Sequence, residues 1–244
     1  MALVRRVVGA ASRRLERPEL LSAIYPASRQ AEHEAIAISA VLAAALVGDC
    51  LYVDVGANRG QVLREAVRVA PRARQIAFEP IPALHAQLQA DFPGVDCRRL
   101  AVGASPEITQ FCHFRALDGW SGLRRNPQIS DQRGQPEFID VTVSTLDTEI
   151  AGLTPTVLKI DVEGAELAVL EGGQRILASA RPLLILEHVA ETAEPYGVEP
   201  ETIWDLLSEL GYTIFSVTGA GPFTRSDFAA ERAVVNWLAV AQDR

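Results

Sequence analysis

Acidic groups and an imidazole close two of the apolar runs of this chain. The segment Val157 to Gly173 reads VLKIDVEGAELAVLEGG, so that Lys159, Asp161, Glu163 and Glu166 stand at a strand end and in the first turn of the helix that follows. The next apolar run, Leu183 to Leu186, ends in Glu187-His188. In open α/β folds ligands bind at the carboxyl ends of the strands, which is where Asp161, Glu187 and His188 fall. Carboxylates and an imidazole at one edge are the groups of proton transfer. His188 ranks first as proton acceptor, because its unperturbed pKa lies near neutrality, with Asp161 and Glu187 orienting or binding the acceptor. A rival account has Asp161, Glu163 and Glu187 hold a divalent cation. No metal is expected, but the residue types leave this open. Glu163 stands on the acceptor side, and Glu166 serves equally well as a carboxylate opposing the helix dipole.

These groups need a partner site, and the run Leu51 to Gln61, LYVDVGANRGQ, supplies one. An apolar strand passes into a small-residue turn and then a helix. Gly56 and Gly60 let backbone N–H groups approach a ligand, and the helix that begins near Gly60 directs its positive dipole end at the same place. An anionic group is the expected occupant. Asn58 takes the position where dinucleotide binders carry their middle glycine, so the turn suits an amino-acid-like end, such as that of S-adenosylmethionine (SAM), better than a pyrophosphate. The following β-α-β unit has its helix over Val62 to Val69 and ends its second strand in Phe78-Glu79-Pro80. An acid roughly 20 residues past such a turn accepts hydrogen bonds from ribose hydroxyls. A third strand, Cys97 to Val102, ends in Ala101-Val102-Gly103, small residues of the kind that flank an adenine ring.

Together these segments resemble the FkbM-type SAM-dependent methyltransferases. The matching stretches are VDVGANRGQ (Val53 to Gln61), FEPIPALHAQL (Phe78 to Leu88), LAVG (Leu100 to Gly103), VSTLD (Val143 to Asp147), LKIDVEGAELAVLEGG (Leu158 to Gly173) and RPLLILEH (Arg181 to His188). The resemblance covers roughly residues 45 to 240. It implies a class I methyltransferase fold, Rossmann-like, with a mostly parallel seven-stranded sheet, an antiparallel last strand and helices on both faces. It also implies methyl transfer, usually to a hydroxyl oxygen of a sugar or natural product. By position Asp54, Gly56, Asn58 and Gly60 match the SAM-binding turn, Glu79 the ribose acid, and Asp161, Glu163 and Glu166 the acidic segment.

The rest of the chain is consistent with such an enzyme. With 244 residues it can bury a full α/β core, and a net charge of −8 argues against a nucleic-acid substrate. Cys50, Cys97 and Cys112 are scattered and suggest neither a disulfide framework nor a metal site, which fits a cytoplasmic protein. Residues 1–48 read as a helical extension ahead of the domain at 49–244. Its first 17 residues carry Arg5, Arg6, Arg13, Arg14 and Arg17, either an amphipathic contact to a membrane or partner or a solvated helix. An insertion over about 108–147 holds two alternating strands and a long polar loop. In that loop Trp120, with Ser121 beside it, can stack on a sugar or the cofactor or pack on the body, and Arg124 can bind an acidic acceptor or stand in solvent. The predicted tail is a helix over Glu199 to Leu210 and two strands, Tyr212 to Val217 and Val234 to Val240. A small-molecule or glycan acceptor is expected, and the oligomeric state stays open, a homodimer included. A nicotinamide-dependent oxidoreductase and a SAM-binding protein without turnover are the alternatives; Asn58 argues against the first, the acidic segment against the second.

Overall fold

The computed structural model describes residues 26–115, 117–126, 129 and 135–242. The basic segment 1–17 lies outside the described residues. The first element is α1 (Pro26–Ala45), followed by β1 (Leu51–Val55), α2 (Gln61–Val69), β2 (Arg74–Phe78), α3 (Pro82–Asp91) and β3 (Asp96–Arg98). After these come β4 (Ala101–Val102), β5 (Glu107–His113), β6 (Glu137–Ser144), α4 (Leu146–Glu149), β7 (Val157–Ile160), α5 (Glu166–Glu171) and α6 (Gln174–Ala180). The chain closes with β8 (Leu183–Glu187), α7 (Ala190–Ala193), α8 (Pro200–Glu209), β9 (Tyr212–Ser216), α9 (Arg225–Ala230) and β10 (Asn236–Ala241).

Seven strands form one sheet in the order β3-β2-β1-β7-β8-β10-β9. The pairs β2/β3, β1/β2, β1/β7 and β7/β8 are parallel, and β10 runs antiparallel to both β8 and β9. This is the class I methyltransferase sheet, with its last strand inserted backwards. Strand alternation builds a core on each face. Val53, Val55, Phe78, Leu158, Ile160, Leu184 and Leu186 pack with Leu170, Leu177, Ile203 and Leu207 on one side. Tyr52, Ala77, Val157, Leu183, Ile185 and Leu238 pack with Val41 and Leu42 of α1 and Leu63 and Ala66 of α2 on the other. Each such leucine or isoleucine contributes about 1.5–3 kcal/mol by leaving water. Helix α1 is also pinned to the last strand, because the Glu34 carboxylate accepts from the backbone N–H and the side-chain amide of Asn236 at 3.2 and 2.8 Å.

The single strand expected over Cys97 to Val102 is two elements. Asp96–Arg98 continues the main sheet beside β2, whereas Ala101–Val102 pairs with β6 in a separate three-stranded sheet, β4-β6-β5. The cause is a backbone turn between them, in which Leu100 N–H donates to the Arg98 carbonyl at 3.1 Å. The insertion therefore grows out of the third strand and hangs over the carboxyl edge of the main sheet. Phe111, Val141 and Val143 hold it there against Ile81 and Leu84.

Candidate active site

At that edge lies a cavity of about 520 Å³, within the range of small-molecule sites. Its floor is the turn after β1. Gly56 and Ala57 donate their N–H groups to the Phe78 carbonyl at 3.1 and 3.0 Å, clasping the turn to β2. Gly56 has φ of +79°, and a Cβ there would stand 1.8 Å from the Asp161 carbonyl oxygen. The glycine is thus required by β7 passing close behind it. Asn58 is also left-handed, with φ of +48°. That conformation aims its N–H at Glu79 Oε2, 2.8 Å away, while Ile81 N–H donates to Oε1 at 2.8 Å. Burial pushes the Glu79 carboxyl up to about 7, against the pull of these two N–H bonds. Gln61 and Val62, which open α2, complete the floor, and Pro80, Leu100, Ala101 and Val102 form an apolar slot beside Glu79.

Opposite the turn, Asp161, Glu163 and Glu187 line the same cavity and bring one carboxylate oxygen each within 4.8 Å of one another. Beneath them the buried Lys159 ammonium donates to Asp161 Oδ2 at 3.1 Å and to the Gly56 carbonyl at 3.3 Å, and pairs with Asp54 at 3.2 Å. Burial opposes this charge, but the carboxylates of Asp161 and Asp54 outweigh it and hold the lysine pKa above its ordinary value. Glu163 is raised to about 9 by burial and then by the charges of Asp161, Glu187 and Glu166. Glu187 is raised to about 8 by burial and by Asp161, with Lys159 pulling the other way. The insertion forms the roof, through Leu117, Asp118, Gly119, Trp120, Ser121 and Leu123. Arg59 of the turn forms an ion pair with Asp118 of the roof, and His113 contacts the same carboxylate at 3.0 Å.

The FkbM methyltransferase domain matches residues 54–214, about two thirds of the chain. The chain belongs to the FkbM methyltransferase family. SAM-dependent methyl transfer is accordingly the reaction class of this domain. A curated relative, methyltransferase sdnD of Sordaria araneosa, is 29% identical over 194 residues, 66% of this chain and 73% of its own length. The antimetabolite synthetase AmbE of Pseudomonas aeruginosa is 24% identical over 204 residues, 68% of this chain but only 10% of that protein. Among solved structures, the FkbM methyltransferase of Methylobacillus flagellatus KT aligns with a TM-score of 0.49 at 14% identity, over 98% of this chain and 58% of its own.

Within this FkbM domain Gly56, Asn58, Glu79, Pro80, Ala101, Val102, Trp120, Ser121, Asp161, Glu163 and Glu187 all line the cavity. Five residues singled out from the sequence do not, the buried Glu166 among them. Asp54 is buried beneath it, paired with Lys159 and accepting from Tyr52 Oη at 3.1 Å. Gly60 lies on the far side of the turn, where a Cβ would meet Phe92 at 2.6 Å and Leu88 at 2.8 Å, so its absence of side chain serves packing. Arg124 is exposed, and its backbone N–H donates to Tyr196 Oη at 2.9 Å.

His188 is the main correction. It is buried, its ring stacks on Phe228 with centroids 5.9 Å apart, and it borders a separate small cavity with Phe228 and Trp237. Consecutive residues at a strand end point to opposite faces, so Glu187 faces the main cavity and its neighbour turns away. The imidazole does not line the cavity beside the glycine turn. Residues that the sequence reading passed over include Arg59 and Asp118, whose pairing spans 59 positions, and Asn126, whose amide lies 3.4 Å from Glu163 Oε2. Only Arg59 carried a local signal, as the one charged residue inside the turn.

Proposed function

We propose that this domain methylates a hydroxyl oxygen of a sugar, glycan or other small natural product, with Glu187 as the general base. The observation that carries this reading is the shared cavity, in which the glycine turn and Glu79 stand on one side and Glu187 with Asp161 and Glu163 on the other. When bound, SAM supplies a methyl group on a sulfonium sulfur. Glu79 retains a lone pair on each oxygen beyond its N–H bond, enough for a ribose diol, and the slot at Ala101 and Val102 suits a flat adenine. The residues opposite would then have to hold the acceptor oxygen about 3 Å from the methyl carbon for transfer to occur. With SAM bound there, Glu187 would accept the proton of the acceptor hydroxyl as its oxygen takes the methyl group, which would leave a neutral thioether as the second product.

Glu187 is better suited to this role than Asp161. Asp161 already accepts from the Lys159 ammonium at 3.1 Å, whereas burial makes the Glu187 carboxylate a stronger base than an ordinary glutamate. Glu163, raised further, keeps its proton at neutral pH and can donate to the acceptor. Trp120 offers a face on which a sugar ring can stack. A second reading rests on the same three carboxylates, whose hard oxygens suit Mg²⁺ or Ca²⁺ and would orient a diol. The direct test is incubation with methyl-labelled SAM and a panel of hydroxylated glycans and natural products. Base-stable label on oxygen supports the reading, and label only on nitrogen or carbon overturns it. EDTA is expected to leave turnover unchanged; loss of turnover restored by Mg²⁺ would favour the metal. We place the reaction in the cytoplasm, in keeping with three free cysteines; no described helix is long and apolar enough to cross a membrane.

A further inference from the structure

We infer that Glu166 is a positioning residue, a buried clamp that holds the turn Val162 to Gly164 so that the Glu163 carboxyl faces Asp161 and Glu187. The inference rests on the reading that these three groups stand where the methyl group is transferred. Glu163 is one of only three non-glycine residues with positive φ among those described, at +56°, and Gly164 follows at +103°. A left-handed glutamate is unfavourable by itself and persists only where its surroundings over-determine it.

Glu166 supplies that determination. Its side chain is buried, and Oε1 accepts from Gly164 N–H at 2.8 Å and, over a longer 3.4 Å, from Val162 N–H. One oxygen thus grips the backbone on both sides of Glu163. From behind, Gly164 is pressed against the segment before Tyr196, since a Cβ there would stand 2.0 Å from the Thr192 carbonyl oxygen. The other oxygen, Oε2, has no hydrogen-bond partner among the described residues and faces His188 Nδ1 at 3.6 Å, too far to bond. His188 is therefore the wall against which the clamp rests. A carboxylate placed only to oppose the helix dipole has no need of burial or of a grip on the preceding turn.

The test uses two probes of the cofactor site. S-adenosylhomocysteine carries nothing at the methyl position, and sinefungin carries an amine there that a carboxyl oxygen can accept from, so the ratio of their affinities reads the carboxyl groups that face the methyl position. Glu163→Gly should cut sinefungin's advantage by about tenfold, and its backbone no longer needs clamping. Glu166→Asp draws the oxygens back by one methylene; it should cost about three- to tenfold of the ratio in the native background and less than about twofold in Glu163→Gly. S-adenosylhomocysteine affinity should hold within about threefold throughout. Equal losses in both backgrounds, or no loss from a folded Glu166→Asp, would overturn the clamp. If Glu166→Asp does not fold, Glu166→Gln decides: its amide oxygen still accepts from Gly164, so a ratio within about twofold of native supports the clamp and a tenfold fall refutes it. Failure of the underlying reading looks different, as no binding of either probe or no change on Glu163→Gly.

Discussion

The two sides of the cavity are built in opposite ways. The cofactor side is backbone: a turn clasped to β2 by Gly56 and Ala57, and one carboxylate, Glu79, whose oxygens are each fixed by an N–H group. The acceptor side is side chains: three carboxylates crowded over a buried lysine, under a roof lent by an insertion. Backbone sites hold one ligand in one pose, because the groups that contact it are also the groups that form the fold. Side-chain sites tune chemistry, because burial and neighbouring charge set each group's protonation. Substitutions should therefore separate cleanly, with affinity for SAM lost on one side and turnover on the other.

The largest effect is expected on the acceptor side. Glu187→Gln keeps the shape and removes the base, and kcat should fall about 10²- to 10⁴-fold while SAM affinity changes less than about threefold. In the native enzyme the rate at saturating SAM should rise with pH toward about 8, as Glu187 loses its proton. A Glu187→Gln enzyme with native kcat would break the division of labour between the two sides. The next effect belongs to the cofactor side. Glu79→Ala should weaken SAM by about 1–3 kcal/mol in a calorimetric titration, the cost of losing a charged hydrogen-bond acceptor. At saturating SAM its kcat should stay close to native, and a large fall in kcat would mean that Glu79 takes part in the chemistry.

Crowded carboxylates also leave a mark on stability. The folded pKa of Glu163 is raised to about 9, well above that of an unfolded glutamate. Its contribution to stability is present in full below the unfolded value, near 4.3, and is lost as pH rises toward the folded one. Glu163→Gln removes this titration. At pH 8–9 the variant should be more stable than the native protein by ~1–2 kcal/mol, seen as a rise of roughly 2–8 °C in Tm, with the advantage shrinking to nothing near pH 5. A Tm difference independent of pH would show that Glu163 is not desolvated in the way its burial implies.

The same contrast explains what could be read from the sequence. The cofactor side was legible because its determinants are local: Gly56, Asn58 and Glu79 lie within one β-α-β unit, where turn chemistry and strand ends speak for themselves. Even there the reasons shifted, since Gly56 makes room for Asp161 and Gly60 for Phe92. The mostly parallel seven-stranded sheet and its reversed last strand were implied by the family resemblance, and the structure adds the strand order. The acceptor side depended on parity and on long-range closure. Asp54 and Lys159 are register partners across β1 and β7, so their side chains share a face, and that pairing could be anticipated. Glu187 and His188 differ by one residue and hence by a face. Ranking them by unperturbed pKa chose the imidazole, whereas strand alternation chooses the carboxylate. No pattern in the sequence joins Arg59 to Asp118 or Asn126 to Glu163, because the insertion folds back over the edge through contacts spread along the whole second sheet.

The smallest effect sits where the two sides meet. Arg59 is the one charged residue in the turn itself, more than half exposed, and its partner Asp118 opens the short helical turn Asp118–Trp120 of the roof. Arg59 is more than half exposed although Asp118 is buried, and a pair open to water at one end is worth about 1 kcal/mol, so neither Arg59→Ala nor Asp118→Ala should unfold the protein. Their coupling should appear instead in the cofactor's escape. If the pair ties the roof to the turn over the bound ligand, each single change should speed SAM dissociation about two- to fivefold, and the double change should add little to either. Raising the salt concentration should reproduce part of the native-to-variant difference, since the exposed Arg59 end of the pair is screened over about 8–10 Å at moderate ionic strength. Dissociation rates that multiply in the double variant would show that Arg59 and Asp118 contact the cofactor separately, and the roof would then belong to the acceptor side alone.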